Sequence, residues 1–307
     1  MDRLEAMSML VTVTEKGSFS AASRALQVPL ATLSRKVADL EALLGARLLI
    51  RTTRKLTLTD AGIAYVAAAR RILEQVDDAE REAAGEFIAP KGELVITAPI
   101  LFGRLHVLPI VSEFLAAFPE INVRLLLADR NLHLIDDHVD MAVRIGALPD
   151  STMIATRIGV MRMVTCASPA LIAAHGLPTI PEDILRMPRV AFEMPVPSPG
   201  WRYQSSESSS IVEIPVQPRL AVTTAEAAAD AAAAGVGVVR LLHYQVAEAV
   251  GRGMLEIILE NFEPEPSPVH LVHVATGQMP LKMRRFLNFA APRLRQVLAR
   301  LERSHVD

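Results

Sequence analysis

The chain has 307 residues, 51% of them hydrophobic and 21% charged, with a formal net charge of −2. That size allows two or three buried cores, and the near-neutral balance excludes a nonspecific nucleic-acid coat. Cys166 is the only cysteine, which excludes an intrachain disulfide and an intrachain thiolate metal cluster. No apolar run reaches membrane-span length, and MDRLEAMSML does not resemble a secretory signal, so a cytoplasmic protein without membrane contact is expected.

Charge is unevenly distributed. Residues 1–62 hold nine Lys/Arg against six Asp/Glu, residues 63–89 three against six, and the remainder twenty against twenty-two. A weakly basic head on a neutral body suits a small DNA-contacting module that relies on dimerisation and shape. Residues 3–15 are expected as a first helix, with Leu4, Met7, Leu10 and Val11 on one face and Gly17 as its stop. A short helix then turns Ala21, Ala22, Ala25 and Leu26 to one side. After Gln27, Val28 and Pro29, a second repeats its apolar residues at Leu33, Val37, Leu40 and Leu44. The break is too short for a structured loop, and Pro29 suits the first turn of a helix. Two short helices across a tight turn make a helix-turn-helix candidate; the pattern also fits an ordinary helical hairpin with a solvated face.

In the first reading the second helix enters the major groove. Its polar face shows Thr32, Ser34, Arg35, Lys36 and Asp39. Thr32, Arg35 and Lys36 are the groove candidates, Ser34 and Ser20 are phosphate candidates, and Phe19, Leu33, Val37 and Leu40 are core. In ARLLIRTTRKLTLTD, Leu48 and Ile50 alternate, as do Leu56 and Leu58, around a basic tip. This fits a two-stranded wing in which Arg51, Arg54 and Lys55 contact phosphates or a minor groove, or else a solvated turn. The hairpin and the wing support one another.

Thr59 is a good N-cap with Asp60 in the first turn. A helix is expected from there to about Phe87, longer than the usual globular range. Val66, Ala69, Leu73, Val76, Ala83 and Phe87 follow alternating 3–4 spacing, with Glu80 the exception. Pairing this stripe with a second subunit would hold two DNA-reading heads at a fixed separation. Ala89, Pro90, Lys91 and Gly92 form a hinge. Beyond it the composition is α/β: GELVITAP as a strand, Phe102–Phe118 as a helix burying Leu105, Leu108, Val111, Leu115 and Phe118, INVRLLLA as a strand, a short helix around Leu132–Asp137, and MAVRIG as a strand. That alternation signals a parallel sheet. ATRIGVMRMVTCAS is an extended crossover, PALIAAHG a helix, Pro195–Ser210 a loop or hairpin, IVEIPVQPRLAVT strand-like and EAAADAAAA a helix capped by Thr224. GVGVVR and MLEIIL are strands flanking the helix HYQVAEAVGRG. PVHLVHVAT precedes a final helix, Pro280 to about Arg303, packed through Met283, Phe286, Leu287, Phe289, Ala290 and Leu294. Two such α/β units joined near Arg162–Thr165 and Glu265–Pro268 form a bilobed body. A cleft between them would lie at the carboxyl ends of strands, with the helix after Pro99 pointing free N–H groups into it.

With these motifs the chain resembles the LysR-type transcriptional regulators. The family expects Phe19 after Gly17-Ser18, the Ala-Ala start to the second helix, Ser34-Arg35, Leu40-Glu41, Leu43-Leu44-Gly45, Arg47-Leu48, Arg51, Arg54, Leu58-Thr59 and Ala61-Gly62. GELVITAP, MAVRIGALPD and MRRFLNFAAPRL extend the resemblance through the body. The resemblance implies an N-terminal winged helix-turn-helix (1–60), a linker helix for dimerisation (61–89), and a bilobed α/β effector-binding domain of periplasmic-binding-protein-like architecture (92–303). Its lobe I is about 92–164 with 268–303, and lobe II about 165–267. It implies double-stranded promoter DNA and a small-molecule effector as partners, a homodimer or homotetramer that bends DNA, and leaves RNA polymerase open as a further partner. Pro99, Ile100, Leu101 and Phe102 would line the effector cleft, with Arg144 beside the ligand and Trp201 as a further candidate. No cofactor is implied. The chain departs from the pattern where many members begin the recognition helix with Ser-Gln-Pro-Ala; here Pro29, Leu30, Ala31 and Thr32 stand there. Leu30 cannot make the bidentate adenine contact of a glutamine and suits a thymine methyl, so operator preference is expected to differ.

An enzyme is the first rival class, and little favours it. His133 and His138 do not face each other on a helix, and His270 and His273 fall on opposite strand faces. Adjacent Asp136 and Asp137 do not converge, Cys166 has no evident base, and GVGVV follows a helix where a dinucleotide loop must precede one. Neither catalytic residues nor a metal site are expected. The second rival is a cytoplasmic small-molecule-binding protein without specific DNA readout.

Overall fold

The computed structural model describes residues 2–51, 56–83, 90–148, 153–193, 200–205, 210–275 and 279–303. They fall into two compact units, Met1–Ala89 and Pro90–Asp307.

The first unit packs α1 (Arg3–Lys16), α2 (Phe19–Leu26) and α3 (Leu30–Leu44) with the antiparallel strands β1 (Leu49–Arg51) and β2 (Leu56–Leu58) and the helix α4 (Asp60–Ala83). Asp2 caps α1 by accepting from the Leu4 and Glu5 amides, and Gly17 ends it in the left-handed region at φ 68°. Ala6, Met9, Leu10, Val11 and Val13 of α1 are buried, whereas Leu4 is exposed. Ala22 is the buried residue of α2, and Ala25 faces solvent. The α3 stripe of Leu33, Val37 and Leu40 is fully buried, but Leu44 leaves it. Both Leu48 and Leu49 are inside and Ile50 is outside. The expected Leu48/Ile50 alternation is therefore out of phase, because β1 begins only at Leu49, which pairs with Leu58.

The second unit begins with β3 (Gly92–Ala98). The segment after it is not one regular helix: it divides into α5 (Ile100–Phe102), a π-helical turn at Gly103–Val107, and α6 (Leu108–Ala117). The π turn shifts the phase of the buried face. Phe102, Val107, Ile110, Val111 and Phe114 are buried, while Leu105 and Leu108 of the expected stripe are exposed. Ile100–Ala117 is long and apolar enough by composition to cross a membrane, contrary to the sequence expectation. Here those buried residues belong to the core between a sheet and helices. Next come β4 (Ile121–Leu127) and β5 (Met141–Ile145). The link between them is a turn rather than the expected helix: the Asp137 carboxylate accepts from the His133 amide at 2.8 Å and His138 sits at φ 53°. A side chain that captures the local amide competes with helix propagation.

From β6 (Met153–Met161) the chain crosses at Arg162 into β7 (Met163–Ala167), α7 (Pro169–His175) and β8 (Arg189–Phe192). The Pro- and Ser-rich stretch contains an antiparallel hairpin of β9 (Gly200–Gln204) and β10 (Ile211–Pro215). Beyond it lie β11 (Leu220–Val222), α8 (Ala225–Ala233), β12 (Val238–Leu242), α9 (His243–Gly251) and β13 (Glu256–Ile258), before β14 (Ser267–Val274) returns to the first sheet and α10 (Leu281–Arg303) closes the chain. The two five-stranded sheets run β4-β3-β5-β14-β6 and β11-β8-β12-β7-β13. Each is mixed. β3, β4 and β5 are parallel, and the strands next to each crossing, β14 with β6 and β12 with β7, are antiparallel.

The crossings are tied together. Arg162 donates from Nε and Nη2 to both carboxylate oxygens of Glu263 at 2.8 and 2.7 Å, on the return path to β14. The pair is largely buried, 17% and 13% exposed, and its bidentate geometry fixes direction as well as distance.

Candidate DNA-reading surface and interlobe cavity

The α2–α3 turn is held by local chemistry. Gln27 adopts φ 55°, the Val28 amide reaches the Ser23 carbonyl at 3.1 Å, and the Ser23 hydroxyl donates to the Val28 carbonyl at 2.6 Å. Pro29 stands at the N-cap of α3 and supplies no side-chain cap. Opposite the buried stripe, Ser20, Leu30, Arg35 and Asp39 are exposed, and Thr32, Ser34 and Lys36 are half-buried. Lys36 is ion-paired with Glu5 of α1, so its ammonium is partly neutralised within the unit. Leu30 is 46% exposed at the first position of α3, a large apolar side chain where the turn meets solvent. Arg51 ends β1 opposite Leu56; the wing candidates Arg54 and Lys55 lie outside the described residues.

Glu41 and Thr59 hold the wing against this helix through contacts beyond those expected from the sequence. The Glu41 carboxylate of α3 accepts the Leu48 and Leu49 amides at 2.7 and 3.0 Å. Thr59 donates its hydroxyl to the Arg47 carbonyl at 2.7 Å and accepts the Gly62 amide at 2.9 Å. Gly62 is packed so tightly that a Cβ would lie 2.0 Å from the Leu48 carbonyl oxygen.

The α4 stripe needs correction. Val66 and Ala69 are buried in this unit's own core, and Leu73 packs against the same cluster. Val66 and Ala69 therefore offer nothing to a second subunit. Spacing of 3–4 marks a buried seam without saying which surface buries it, and α1 does so here. Val76 is half-buried, and the side chain of Ala83 lies outside the described residues. The exposed large apolar residues of α4 are Ile63 and Ile72.

In the second unit, a cavity of about 310 Å³ opens between the two sheets. Lobe I contributes Pro99, Asp129, Asn131, Val143, Arg144 and Ile145. Lobe II, which begins with β7 at Met163 rather than at 165, contributes Met163, Phe192, Trp201, Arg240, Tyr244 and Gln245, among others. Of the cleft residues expected from the sequence, Pro99, Arg144 and Trp201 are there. Leu101 and Phe102 are not: both are buried in the lobe I core. Ile100 does not line the cavity either, and its amide is not free, because it donates to the Asp129 carboxylate at 3.0 Å. The helix start expected to welcome an anion thus already holds one from the protein.

Burial lowers the pKa of both arginines below the usual guanidinium range. Arg144 donates to the Asn131 side-chain oxygen and to the Leu132 carbonyl. The Asp140 carboxylate accepts the Val95 amide at 2.8 Å. Arg240 donates to the Arg202 carbonyl and stacks 4.8 Å over the Tyr203 ring. Tyr244 sits edge-on to Phe102 at 5.3 Å and to His106 at 6.0 Å, joining α9 of lobe II to the π turn of lobe I. Burial raises the Tyr244 hydroxyl and lowers His106, so both are neutral near pH 7.

Comparison with known proteins decides what these parts belong to. Residues 4–63 match the bacterial regulatory helix-turn-helix protein, lysR family, and residues 89–295 match the LysR substrate binding domain. An HTH-type transcriptional regulator of Xanthomonas campestris pv. campestris is 33% identical over 93% of this chain and 84% of its own length. The HTH-type transcriptional activator AaeR of Escherichia coli K12 is 31% identical over 94% of this chain and 93% of its own. The solved structure of CrgA, a LysR-type transcriptional regulator from Neisseria meningitidis, aligns with TM-score 0.60 at 29% identity, over 94% of this chain and 98% of that one.

The chain belongs to the LysR family.

It is a DNA-binding transcriptional regulator with a helix-turn-helix head and a bilobed domain that responds to a small-molecule effector. These relatives are transcriptional regulators. Among the described residues there is no group of three or more His, Cys, Asp or Glu side chains fit for a metal. Cys166 is fully buried, and burial pushes its thiol up to about 12, which removes the thiolate that nucleophilic chemistry needs. Arg240, Asp129 and Tyr244 are among the cavity residues that sequence reasoning missed. Arg240 was legible only as the end of the buried run GVGVVR, whose one charged residue had to find a polar surface.

Proposed function

We propose that residues 1–60 read promoter DNA through Arg35 and Thr32 in the major groove, with Leu30 against a thymine methyl. Ser20 and Ser34 would bond phosphates, and Arg51, Arg54 and Lys55 would serve the wing. Lys36, tied to Glu5, is a supporting positive charge. The observation that carries this reading is the exposed polar face of α3 on a buried Leu33–Val37–Leu40 stripe. Such a helix presents fixed side chains to a groove. Residues 61–89 pair two copies through the part of α4 beyond its own core, Val76 and Ala83 included, and 92–303 form the effector domain. We propose that the protein works in the cytoplasm as a homodimer or homotetramer, with RNA polymerase as a downstream partner.

The effector site in this reading is the cavity lined by Pro99, Arg144 and Trp201. Binding there favours one angle between the lobes; that angle biases how effector domains pair, and hence the spacing and bend imposed on DNA. The test is a footprint of the purified protein on the DNA upstream of its own gene. Two protected half-sites about one or more helical turns apart are expected. Arg35→Ala should lower specific affinity roughly 10- to 100-fold, as loss of a base contact does, with an unchanged circular dichroism spectrum. Operator affinity of Arg35→Ala unchanged from the wild type would remove Arg35 from the groove.

A further inference from the structure

Helix α3 turns a low, flat face outward. At about 100° per residue, Arg35 lies on the side opposite the buried stripe of Leu33, Val37 and Leu40. Ala31, Ala38, Asp39 and Ala42 flank it, all of them exposed. Each alanine projects a single methyl group, so these side chains do not hold the helix backbone away from a surface laid against this face. A side chain as short as aspartate can therefore reach that surface.

Asp39 holds nothing together within the chain. Among the described residues its carboxylate makes no hydrogen bond or ion pair. Lys36, three residues earlier, is paired with Glu5 of α1 instead. Arg35, four residues earlier, stands in the less favourable cation-first order for a helical ion pair. Aspartate is also a poor residue for a helix interior, so local stability does not explain its place. On a face that approaches DNA, a bare carboxylate is repelled by every phosphate. It is favoured there by one kind of group, a hydrogen-bond donor on a base edge. A carboxylate only accepts, and the major groove offers it two donors, cytosine N4–H2 and adenine N6–H2. Adenine carries the N7 acceptor beside its donor, whereas cytosine has no acceptor on its own edge, so cytosine is the better complement.

We infer that Asp39 is a specificity-determining residue that accepts a hydrogen bond from a cytosine N4 amino group in the major groove. This rests on α3 being the groove-reading helix. Four residues advance the helix by about 6 Å, against about 3.4 Å per base step of DNA. The cytosine therefore lies within about two base pairs of the Arg35 contact. The same carboxylate disfavours DNA that offers no donor at that position, so it discriminates by repulsion as well as by attraction.

The test is site selection by the full-length protein from a random-sequence duplex library, with wild type, Arg35→Ala, Asp39→Ala and Asp39→Asn. Wild type should enrich cytosine at one position of each half-site, within about two base pairs of the position whose preference Arg35→Ala loses. Asp39→Ala should lose that cytosine preference, a discrimination of roughly 10- to 100-fold. Its affinity for mixed-sequence DNA should rise at low salt, because one repelling charge is gone. Alanine is the better helix former, so the variant should fold, with an unchanged circular dichroism spectrum. Asp39→Asn should move the preference to adenine, whose N6 and N7 match the carboxamide. A residue that only damped the charge of the face would leave base preferences where they were and raise affinity on every sequence alike. That result would overturn the inference, as would a wild-type preference for another base at this position. If Arg35→Ala alters the selected sequence and neither Asp39 variant does, this inference alone falls. If Arg35→Ala is also without effect, or wild type selects no sequence, the groove reading of α3 falls with it.

Discussion

Replacing Gly62 by alanine sets two effects of opposite sign against each other. By helix propensity the change stabilises α4, by about 0.8–1 kcal/mol. By packing it does the reverse. The new Cβ would lie 2.0 Å from the Leu48 carbonyl oxygen, 2.9 Å from its carbon and 3.0 Å from Leu58 Cδ2. Two of those atoms are backbone, so relief requires α4 and the start of the wing to separate. Overpacking of this kind costs roughly 1–3 kcal/mol. Separation also strains the Thr59 cap, whose bonds to the Gly62 amide and the Arg47 carbonyl are 2.9 and 2.7 Å; loss of a cap costs about 1 kcal/mol. The Glu41 bonds to the Leu48 and Leu49 amides are drawn in as well. The clash should win, with a net destabilisation of about 1–3 kcal/mol. Urea unfolding of the full chain measures the loss, and hydrogen exchange should locate it at the Leu48, Leu49 and Gly62 amides. Operator affinity should fall with it, because the wing is no longer pinned to α3. A variant as stable as the wild type, with those amides equally protected, would refute the reasoning, since propensity alone would then govern the site.

Leu30→Gln should move selected operators towards adenine at the position facing the α3 start, because a glutamine supplies the bidentate contact; unchanged preferences in a random-site selection would place Leu30 off the bases. Arg162→Ala leaves Glu263 as an unpaired, largely buried charge, and should cost about 3–5 kcal/mol in denaturant unfolding of the effector domain. A loss below about 1 kcal/mol would show the pair to be no better than a surface ion pair. Cys166, with its thiol raised from 9.0 to about 12 by burial, stays protonated in the folded chain while an unfolded chain ionises above about 9. Stability from this group is therefore complete below pH 9 and falls as pH rises from 9 towards 12. The native protein should resist iodoacetamide at pH 8 and react once unfolded; equal rates in both states would contradict the burial.

The head was legible because its information is local. The α3 stripe, Gly17, Gly45 and the Thr59 cap are each read from a few neighbouring residues, and helix periodicity is a short-range property. The family resemblance was legible for the same reason, being carried by contiguous motifs between Leu4 and Gly62. Local patterns failed where a distant surface chose among equivalent faces. Val66 and Ala69 have the spacing of a dimer seam, yet α1 of the same chain covers them. Leu105 and Leu108 have the spacing of a core stripe, yet the π turn at Gly103–Val107 rotates them outward.

The cavity divides in the same way. Pro99, Arg144 and Trp201 were named from the sequence, but their convergence with Arg240 and Asp129 joins strands far apart in the chain. The sequence by itself determined that this is a multi-unit protein with a helix-turn-helix head, an α/β body and no intrachain disulfide or thiolate cluster, because burial capacity, periodicity and a single cysteine are countable along the chain. Only the tertiary structure decided which charges lack partners. Asp129 finds a helix amide while Arg144 and Arg240 find neutral oxygens, and the cost of an uncompensated charge depends on what surrounds it in space, not on what precedes it in sequence.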